Sequence, residues 1–192
     1  MIAPSVLPAL LLSVALSLCV AVFAHKHAWL KALLVFGICH IPVWHAMSPS
    51  ALLVGFLGAP SPLSLVLCLW ALIAKYKDLE RFPFRVALFL SLFGAFVFLD
   101  MLELLPFSLT HARPIWVIIS LCLWSVLAFL VHRPLGVLFL LILLLEALNQ
   151  LNKGDSFVLL YIGFMDIYLW AVALIWVFKG MLKTLIRNLK HR

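Results

Sequence analysis

The amino-acid sequence predicts an all-α, polytopic membrane bundle of about seven transmembrane helices. Three observations predict this fold class. The chain has 192 residues, of which 67% are hydrophobic and only 11% are charged, and its mean hydropathy is +1.23. Its apolar residues form runs long enough to cross a bilayer, and its basic residues are concentrated in every second loop between these runs. Soluble domains are about half apolar and about a quarter charged, so this composition excludes a water-soluble globular, disordered or collagen-like chain.

Each apolar run predicts one spanning helix. Such a helix needs about 20 mostly apolar residues, because lipid offers no partner for backbone N–H and C=O groups. The predicted spans cover residues 4–24, 29–48, 51–74, 85–105, 115–131, 134–150 and 157–178. The third run contains Ala59-Pro60-Ser61-Pro62, and proline removes a helical hydrogen bond. We therefore expect either a kinked helix or a short segment over 51–58 followed by a span that starts near Pro62.

The basic residues predict the orientation. Of the 14 Lys and Arg residues, 12 fall in one set of loops, and only Arg113 and Lys153 fall in the other. The positive-inside rule then places the N-terminus outside and the C-terminus in the cytoplasm. The formal net charge of +7 is interpreted as this orientation signal and not as a nucleic-acid surface. The compact chain and its short loops favour a bacterial cytoplasmic membrane.

The domain organisation predicted is one transmembrane domain, residues 1–178, followed by a basic amphipathic tail, residues 179–192. Leu182, Leu185, Ile186 and Leu189 recur at helical spacing in the tail, with basic residues on the other side. The tail is expected to continue the last helix or to lie on the cytoplasmic surface against anionic headgroups. Membrane lipids, and protein partners within the membrane, are the partners that this composition predicts.

Ionisable residues inside the apolar runs are the candidate functional residues, because each costs a few kcal/mol to place in hydrocarbon. They occur in four of the runs, and the predicted topology places all of them in the outer half of the bilayer. The second run carries His40 and His45, the fourth Asp100 and Glu103, the sixth Glu146 and the seventh Asp166.

Helix geometry predicts a shared pocket that opens to the outer side. At about 1.5 Å per residue, His40 lies about 12 Å inside the end of its run and Asp166 about 13 Å inside the start of its own. We expect His40, Asp100 and Asp166 to form the centre of the pocket, with Glu103 and Glu146 at its mouth. Such a pocket binds a proton, a metal ion or a small cationic ligand. Proton- or cation-linked transport is the preferred hypothesis, with Asp166 exchanging protons and His40 as its partner.

Two other classes of protein fit the same residues. One is an accessory or assembly subunit of a larger membrane complex, in which the polar residues make interhelical contacts. The other is an intramembrane metalloenzyme acting on a lipid or outer-leaflet substrate, with a divalent metal held by His40, His45, Asp100 and Asp166. No H-E-x-x-H or related ligand pair supports the metal specifically. A b-type haem is disfavoured, because His40 has no partner histidine at similar depth.

The four cysteines, Cys19, Cys39, Cys68 and Cys122, all lie inside apolar runs and form no C-x-x-C pair. They are interpreted as small buried hydrophobic residues. The G-x-S-x-G, P-loop and G-x-G-x-x-G patterns are absent from the sequence, so no familiar catalytic motif names a reaction.

Overall fold

A computed structural model describes residues 6–24, 26–43, 47–77, 83–106, 108–109, 114–153 and 164–190. Over these residues the protein is all-α, with eight helices and no strands. The helices are α1 (Val6–Phe23), α2 (Ala28–His40), α3 (Pro49–Leu57), α4 (Pro62–Tyr76), α5 (Phe84–Met101), α6 (Pro114–Val131), α7 (Arg133–Lys153) and α8 (Ile167–Lys190). The chain forms two compact units, Met1–Arg81 and Phe82–Arg192.

In the first unit, α1 packs on α2, α3 and α4. A short turn joins α1 to α2, and the Ser13 hydroxyl of α1 lies close to the Cys39 thiol near the far end of α2, so these two helices are antiparallel. The ammonium group of Lys75, in the last turn of α4, donates to the carbonyls of Ala21 and Ala24 at 2.5 and 2.6 Å. Both are at the C-terminal end of α1, so α1 and α4 end on the same side of the unit.

The second predicted span is shorter than the sequence indicated. Helix α2 ends at His40, and Ile41 already has extended backbone angles. The cause is Pro42, because a following proline disfavours helical geometry at the residue before it. The expectation that His40 lies well inside a longer helix is therefore wrong: His40 is the last residue of α2 and is exposed.

The third predicted span divides at the proline pair, which was one of the two expected outcomes. Helix α3 ends at Leu57, Gly58 has φ 84°, and α4 begins at Pro62. The two helices start in the same way. A serine hydroxyl, from Ser48 or Ser61, accepts a backbone N–H three residues on, and a proline occupies the first helical position. Proline is favoured there because that position needs no donor.

In the second unit, α5 and α8 are antiparallel neighbours. At one end the Phe84 ring lies against Gly180, where a Cβ atom would come within 2.6 Å of the ring. Further along, the Trp170 indole donates to the Ser91 carbonyl at 3.1 Å. Gly94 provides the room for this indole, because a Cβ atom there would overlap the Trp170 ring.

Helices α6 and α7 form a hairpin around His132. The rings of Trp124 and Phe139, on opposite sides of this turn, both lie near Phe93, with centroids 5.0 and 5.6 Å away. Two residues fifteen positions apart on a continuous helix would be about 22 Å apart, so the chain folds back. Gly136 makes the turn tight, because a Cβ atom there would overlap the backbone of Phe129.

An aromatic cluster fills the interior of the second unit. It consists of Phe89, Phe93, Trp124, Phe139 and Phe164, whose rings meet mostly edge to face at 5.0 to 6.4 Å. Edge-to-face pairs gain from the positive ring edge meeting the negative ring face, in addition to the apolar area buried. Phe93, Phe139 and Phe164 are fully buried.

Helix lengths test the seven-span prediction in part. Among the described residues, α5 is the one helix whose length and hydropathy reach the requirement for crossing a bilayer. Shorter apolar stretches occupy Val6–Val22, Ala28–His40, Pro62–Tyr76, Ile115–Val131 and Arg133–Leu145. The all-helical class is confirmed, and the number of crossings stays a prediction. Helix α8 runs unbroken to Lys190, so the basic segment continues the last helix.

Candidate functional site

The helix directions bring the acidic residues of the second unit to one end. The carboxylate of Asp100 accepts the backbone N–H of Leu109 at 2.9 Å, which ties the loop after α5 to the C-terminal end of that helix. From Leu109, five residues reach at most about 17 Å, whereas the 18 residues of α5 span about 27 Å. Helix α6 therefore starts near the C-terminal end of α5, and α7, which folds back on α6, runs in the same direction as α5.

These directions define an acidic end, made of Asp100, Glu103, Glu146 and Asp166. Asp100 is in the last turn of α5, Glu103 follows that helix, Glu146 is in the C-terminal half of α7, and Asp166 immediately precedes α8. Lys153, the last residue of α7, is at the same end. Over the described residues, carboxylates therefore outnumber ammonium groups here.

The opposite, basic end carries Arg85, Arg133, Lys179 and Lys183. In or directly before α5, α7 and α8, an acidic residue lies 13 to 15 positions from a basic residue: Asp100 follows Arg85, Glu146 follows Arg133, and Asp166 precedes Lys179. At about 1.5 Å per residue the two levels are about 20 Å apart. The second unit is thus electrically polar along its helices.

Asp166 caps the N-terminus of α8. Its Oδ1 accepts the backbone N–H of Leu169 at 2.6 Å, and its carbonyl accepts the N–H of Trp170 at 3.2 Å. The side chain is buried, with 9% of its surface exposed. The N–H groups that a helix N-terminus leaves without an intrahelical partner, together with its dipole, favour a carboxyl group there, so this capping offsets part of the cost of burying Asp166 beside Phe164 and Met165.

The break before α8 corrects the seventh predicted span. Phe164 has helical backbone, but Met165 and Asp166 do not, so the helix expected over 157–178 is interrupted there. Asp166 consequently does not lie within a continuous helix. Residues 157–163 lie outside the described part of the chain. The signal was present in the sequence, because aspartate directly before an apolar helical run is a preferred N-cap.

Asp100 is fully buried, with 0% of its surface exposed. Its Oδ1 holds the Leu109 N–H, and its own carbonyl accepts the N–H of Glu103 at 3.0 Å. The Leu104 N–H bonds to the Leu99 carbonyl at 3.0 Å. These last two bonds form a Schellman turn that ends α5.

Glu103 occupies the left-handed position of that turn, with φ 56°. This position favours glycine, because a Cβ atom costs roughly 1 kcal/mol or more there. The Glu103 side chain is exposed. Sequence reasoning placed it at the mouth of a pocket but did not foresee the strained backbone, which no neighbouring glycine signals.

The predicted residues fall in both units. His40 belongs to the first, where its Nδ1 donates to the Phe36 carbonyl at 2.8 Å and its ring lies 4.5 Å from the Phe36 ring. Asp100 and Asp166 belong to the second unit, so the shared pocket of all three stays a prediction. His45 lies outside the described residues. The backbone of Glu146 is helical, two turns after Phe139 on the same face of α7.

The described residues do not form a ligand set for the metal site that the sequence predicts. Among them, no group of three or more His, Cys, Asp and Glu side chains is close enough to hold a metal ion. The carboxylates of Asp100 and Asp166 instead accept the backbone N–H groups of Leu109 and Leu169.

Comparison with known proteins found no matching family model, no matching curated protein and no matching solved structure.

Proposed function

We propose that the chain is an integral membrane protein that binds protons or small cations at the acidic end of its second unit. Transport of the bound ion, or of a solute coupled to it, is the activity proposed. The observation that carries the proposal is the burial of two carboxylates, Asp100 and Asp166, at the same end of one helical unit. Buried carboxylates in an apolar surround are costly unless protonated, paired or bound to a cation.

The surfaces of the helices support a membrane setting. On α6, Ser125, Val117, Leu121 and Ala128 are buried, whereas the exposed face is wholly apolar. That exposed face consists of Ile115, Trp116, Ile119, Cys122, Leu123, Val126, Leu127, Phe129 and Leu130. A soluble protein rarely exposes a contiguous apolar face of this kind, whereas a lipid-facing helix requires one.

The polarity of the second unit supports an orientation. If the basic end faces the cytoplasm, as the positive-inside rule requires, the acidic end faces outward. The interruption at Met165 and Asp166 resembles in kind the discontinuous helices that bind ions in transporters, where helix ends supply the polar groups. Cations would then meet the carboxylates from the outer side.

The test separates the charge of Asp166 from its role as a cap. Asn and Ser are N-caps about as good as Asp, so Asp166→Asn and Asp166→Ser retain the α8 cap while removing the charge. Asp100→Asn likewise retains an oxygen acceptor for the Leu109 N–H. Purified protein is placed in liposomes containing a pH-sensitive dye, and proton flux is followed under imposed pH, Na⁺ and K⁺ gradients. Cys122→Ser, an exposed position, serves as the control.

We expect flux above that of empty liposomes for the wild type and the control, and at least about a tenfold loss in the three charge-removing variants, the effect of about 1.4 kcal/mol. Wild-type liposomes no more permeable than empty ones would overturn transport. Full flux in Asp166→Asn would show that Asp166 acts only as a cap.

One observation favours a second candidate, the accessory subunit. Helix α2 has 13 residues, and only Ala32 and Cys39 are buried. Its length of about 20 Å is shorter than the hydrocarbon of about 30 Å. A membrane partner that covers α2 explains both features. Membrane proteins that co-purify in mild detergent and are lost in a Leu33→Lys variant would favour this function; unchanged co-purification would oppose it.

A further inference from the structure

The first unit contains a pair of thiols that the sequence does not connect. The Sγ atoms of Cys19 in α1 and Cys68 in α4 lie 3.3 Å apart, although 49 positions separate them in the chain. Both are half-buried, and no disulfide links them. The contact exists because α1 and α4 run in the same direction, which places the two residues at one level.

The surrounding contacts hold this level fixed. Lys75, seven residues after Cys68, bonds to the carbonyls of Ala21 and Ala24 just after Cys19. The two helices are therefore tied on the C-terminal side of the thiols by a charged group that bridges them. Movement of one helix along the other would break these bonds, so the thiols stay opposite each other.

The geometry points to Cys19 and Cys68 as an oxidisable dithiol that closes to a disulfide between α1 and α4. A disulfide has an S–S length of about 2.05 Å, so the sulfur atoms need to approach by about 1.2 Å, within reach of side-chain rotation. The two thiols lose two protons and two electrons, and the S–S bond forms. An apolar two-electron oxidant of the quinone class accepts them and becomes the quinol.

The other two cysteines provide the internal comparison. Cys39 is buried in α2, and its thiol lies close to the Ser13 hydroxyl. Cys122 is exposed in the second unit. The close contact described is the one between the Cys19 and Cys68 thiols. We therefore expect an oxidant to link these two residues and to leave Cys39 and Cys122 as thiols.

The experiment counts thiols in the full-length protein in mild detergent. The reduced protein is exposed to duroquinone and denatured in SDS, and the remaining thiols are alkylated with N-ethylmaleimide. Mass spectrometry of the intact protein then counts the adducts. The wild type, with four cysteines, should carry two adducts after oxidation and four without it. Cys19→Ser and Cys68→Ser should each carry three, and form any other disulfide at least about tenfold more slowly.

The Cys39→Ser variant identifies the linked residues. Trypsin cleaves after Lys26, Lys31 and Lys75, so the fragments 1–26 and 32–75 of this variant contain Cys19 and Cys68 as their only cysteines. They should appear as one linked mass that separates on reduction. Four adducts on oxidised wild type, adduct loss that persists in Cys19→Ser, or dimers linked through Cys122 would each overturn the proposal.

Discussion

The two units bury polar groups of different kinds. In the first unit the buried polar side chains are hydroxyls, and they are satisfied nearby: Ser13 donates to the Ala9 carbonyl, and Ser50 donates to the Cys39 carbonyl of the neighbouring helix. In the second unit, Asp100 and Asp166 are buried together with an aromatic cluster. Every acidic residue within the described ranges belongs to the second unit.

The two kinds of buried polar group have different structural consequences. A hydroxyl satisfies itself on its own helix at little cost. A buried carboxylate needs several hydrogen-bond donors or a helix terminus, so it is found where helices end or are interrupted. The second unit has both, in the Schellman turn after α5 and the interruption before α8. Within the described residues, the first unit buries hydroxyls as its polar side chains, whereas the second buries the two carboxylates of the proposed site. The following changes test that division.

The largest effect is expected in the aromatic cluster. Phe93 is fully buried and contacts three or more other rings, so Phe93→Ala should lower the free energy of unfolding by about 3–5 kcal/mol. Phe56, 86% exposed in α3 of the first unit, is the matched control. Phe56→Ala should change it by less than about 0.5 kcal/mol. SDS titration of the protein in micelles measures both, and equal losses would contradict the placement of the core.

Two glycines sharpen the comparison. Gly136→Ala forces a Cβ atom onto the Phe129 backbone and should cost about 1–3 kcal/mol. Gly37→Ala, in the interior of α2 with open space around it, should gain up to about 1 kcal/mol from the better helix propensity of alanine. The same SDS titration measures both, and changes of equal sign would show that the hairpin does not need its close approach.

Lys75 is the charged bridge of the first unit. Lys75→Met keeps the apolar stem but loses both bonds to the end of α1, and should cost about 2 kcal/mol. Lys77→Met, at the exposed C-cap of α4, provides the control and should have little effect. Hydrogen exchange of the Leu18–Val22 amides should also accelerate in Lys75→Met alone. Unchanged exchange of these amides would show that the Lys75 bonds do not stabilise the end of α1.

The smallest effect is a gain. Glu103→Gly relieves a left-handed backbone and should raise the free energy of unfolding by up to about 1 kcal/mol. Leu102→Gly, one residue earlier with φ −85°, relieves nothing and should lower it. If Glu103 serves ion binding, the more stable variant should show reduced flux in liposomes. A gain in both stability and flux would remove Glu103 from the site.

Much of the helical framework could be predicted from the sequence. The lengths of the apolar runs located α5, α6 and α7 closely, and the Ser-Pro pairs mark the starts of α3 and α4. The separation of acidic and basic levels also follows from spacing alone. The length of the apolar run did not predict the early end of α2 at His40, because the run continues past Pro42, which ends the helix locally.

The remaining details depend on contacts that no local pattern encodes. The pairing of Cys19 with Cys68 requires α1 and α4 to be parallel neighbours in the right register. Asp166 is an exception, because aspartate before an apolar helical run is a local N-cap signal, but the apolar residues on both sides of it favour one continuous helix instead. The strained turn at Glu103 ends α5, and the chain then returns so that the Leu109 N–H reaches the Asp100 carboxylate.

The bridge from Lys75 to α1 has a consequence for how the protein is made. The two carbonyls that it satisfies precede it by 54 and 51 positions. At a synthesis rate of about 5–20 residues per second, they leave the ribosome roughly 3–10 s before their ammonium partner does. Throughout that interval the Ala21 and Ala24 carbonyls of the nascent chain lack their Lys75 partner. A translation pause between α1 and α4 should therefore expose the nascent chain to chaperones or proteases, whereas a pause placed well after Lys75 should not.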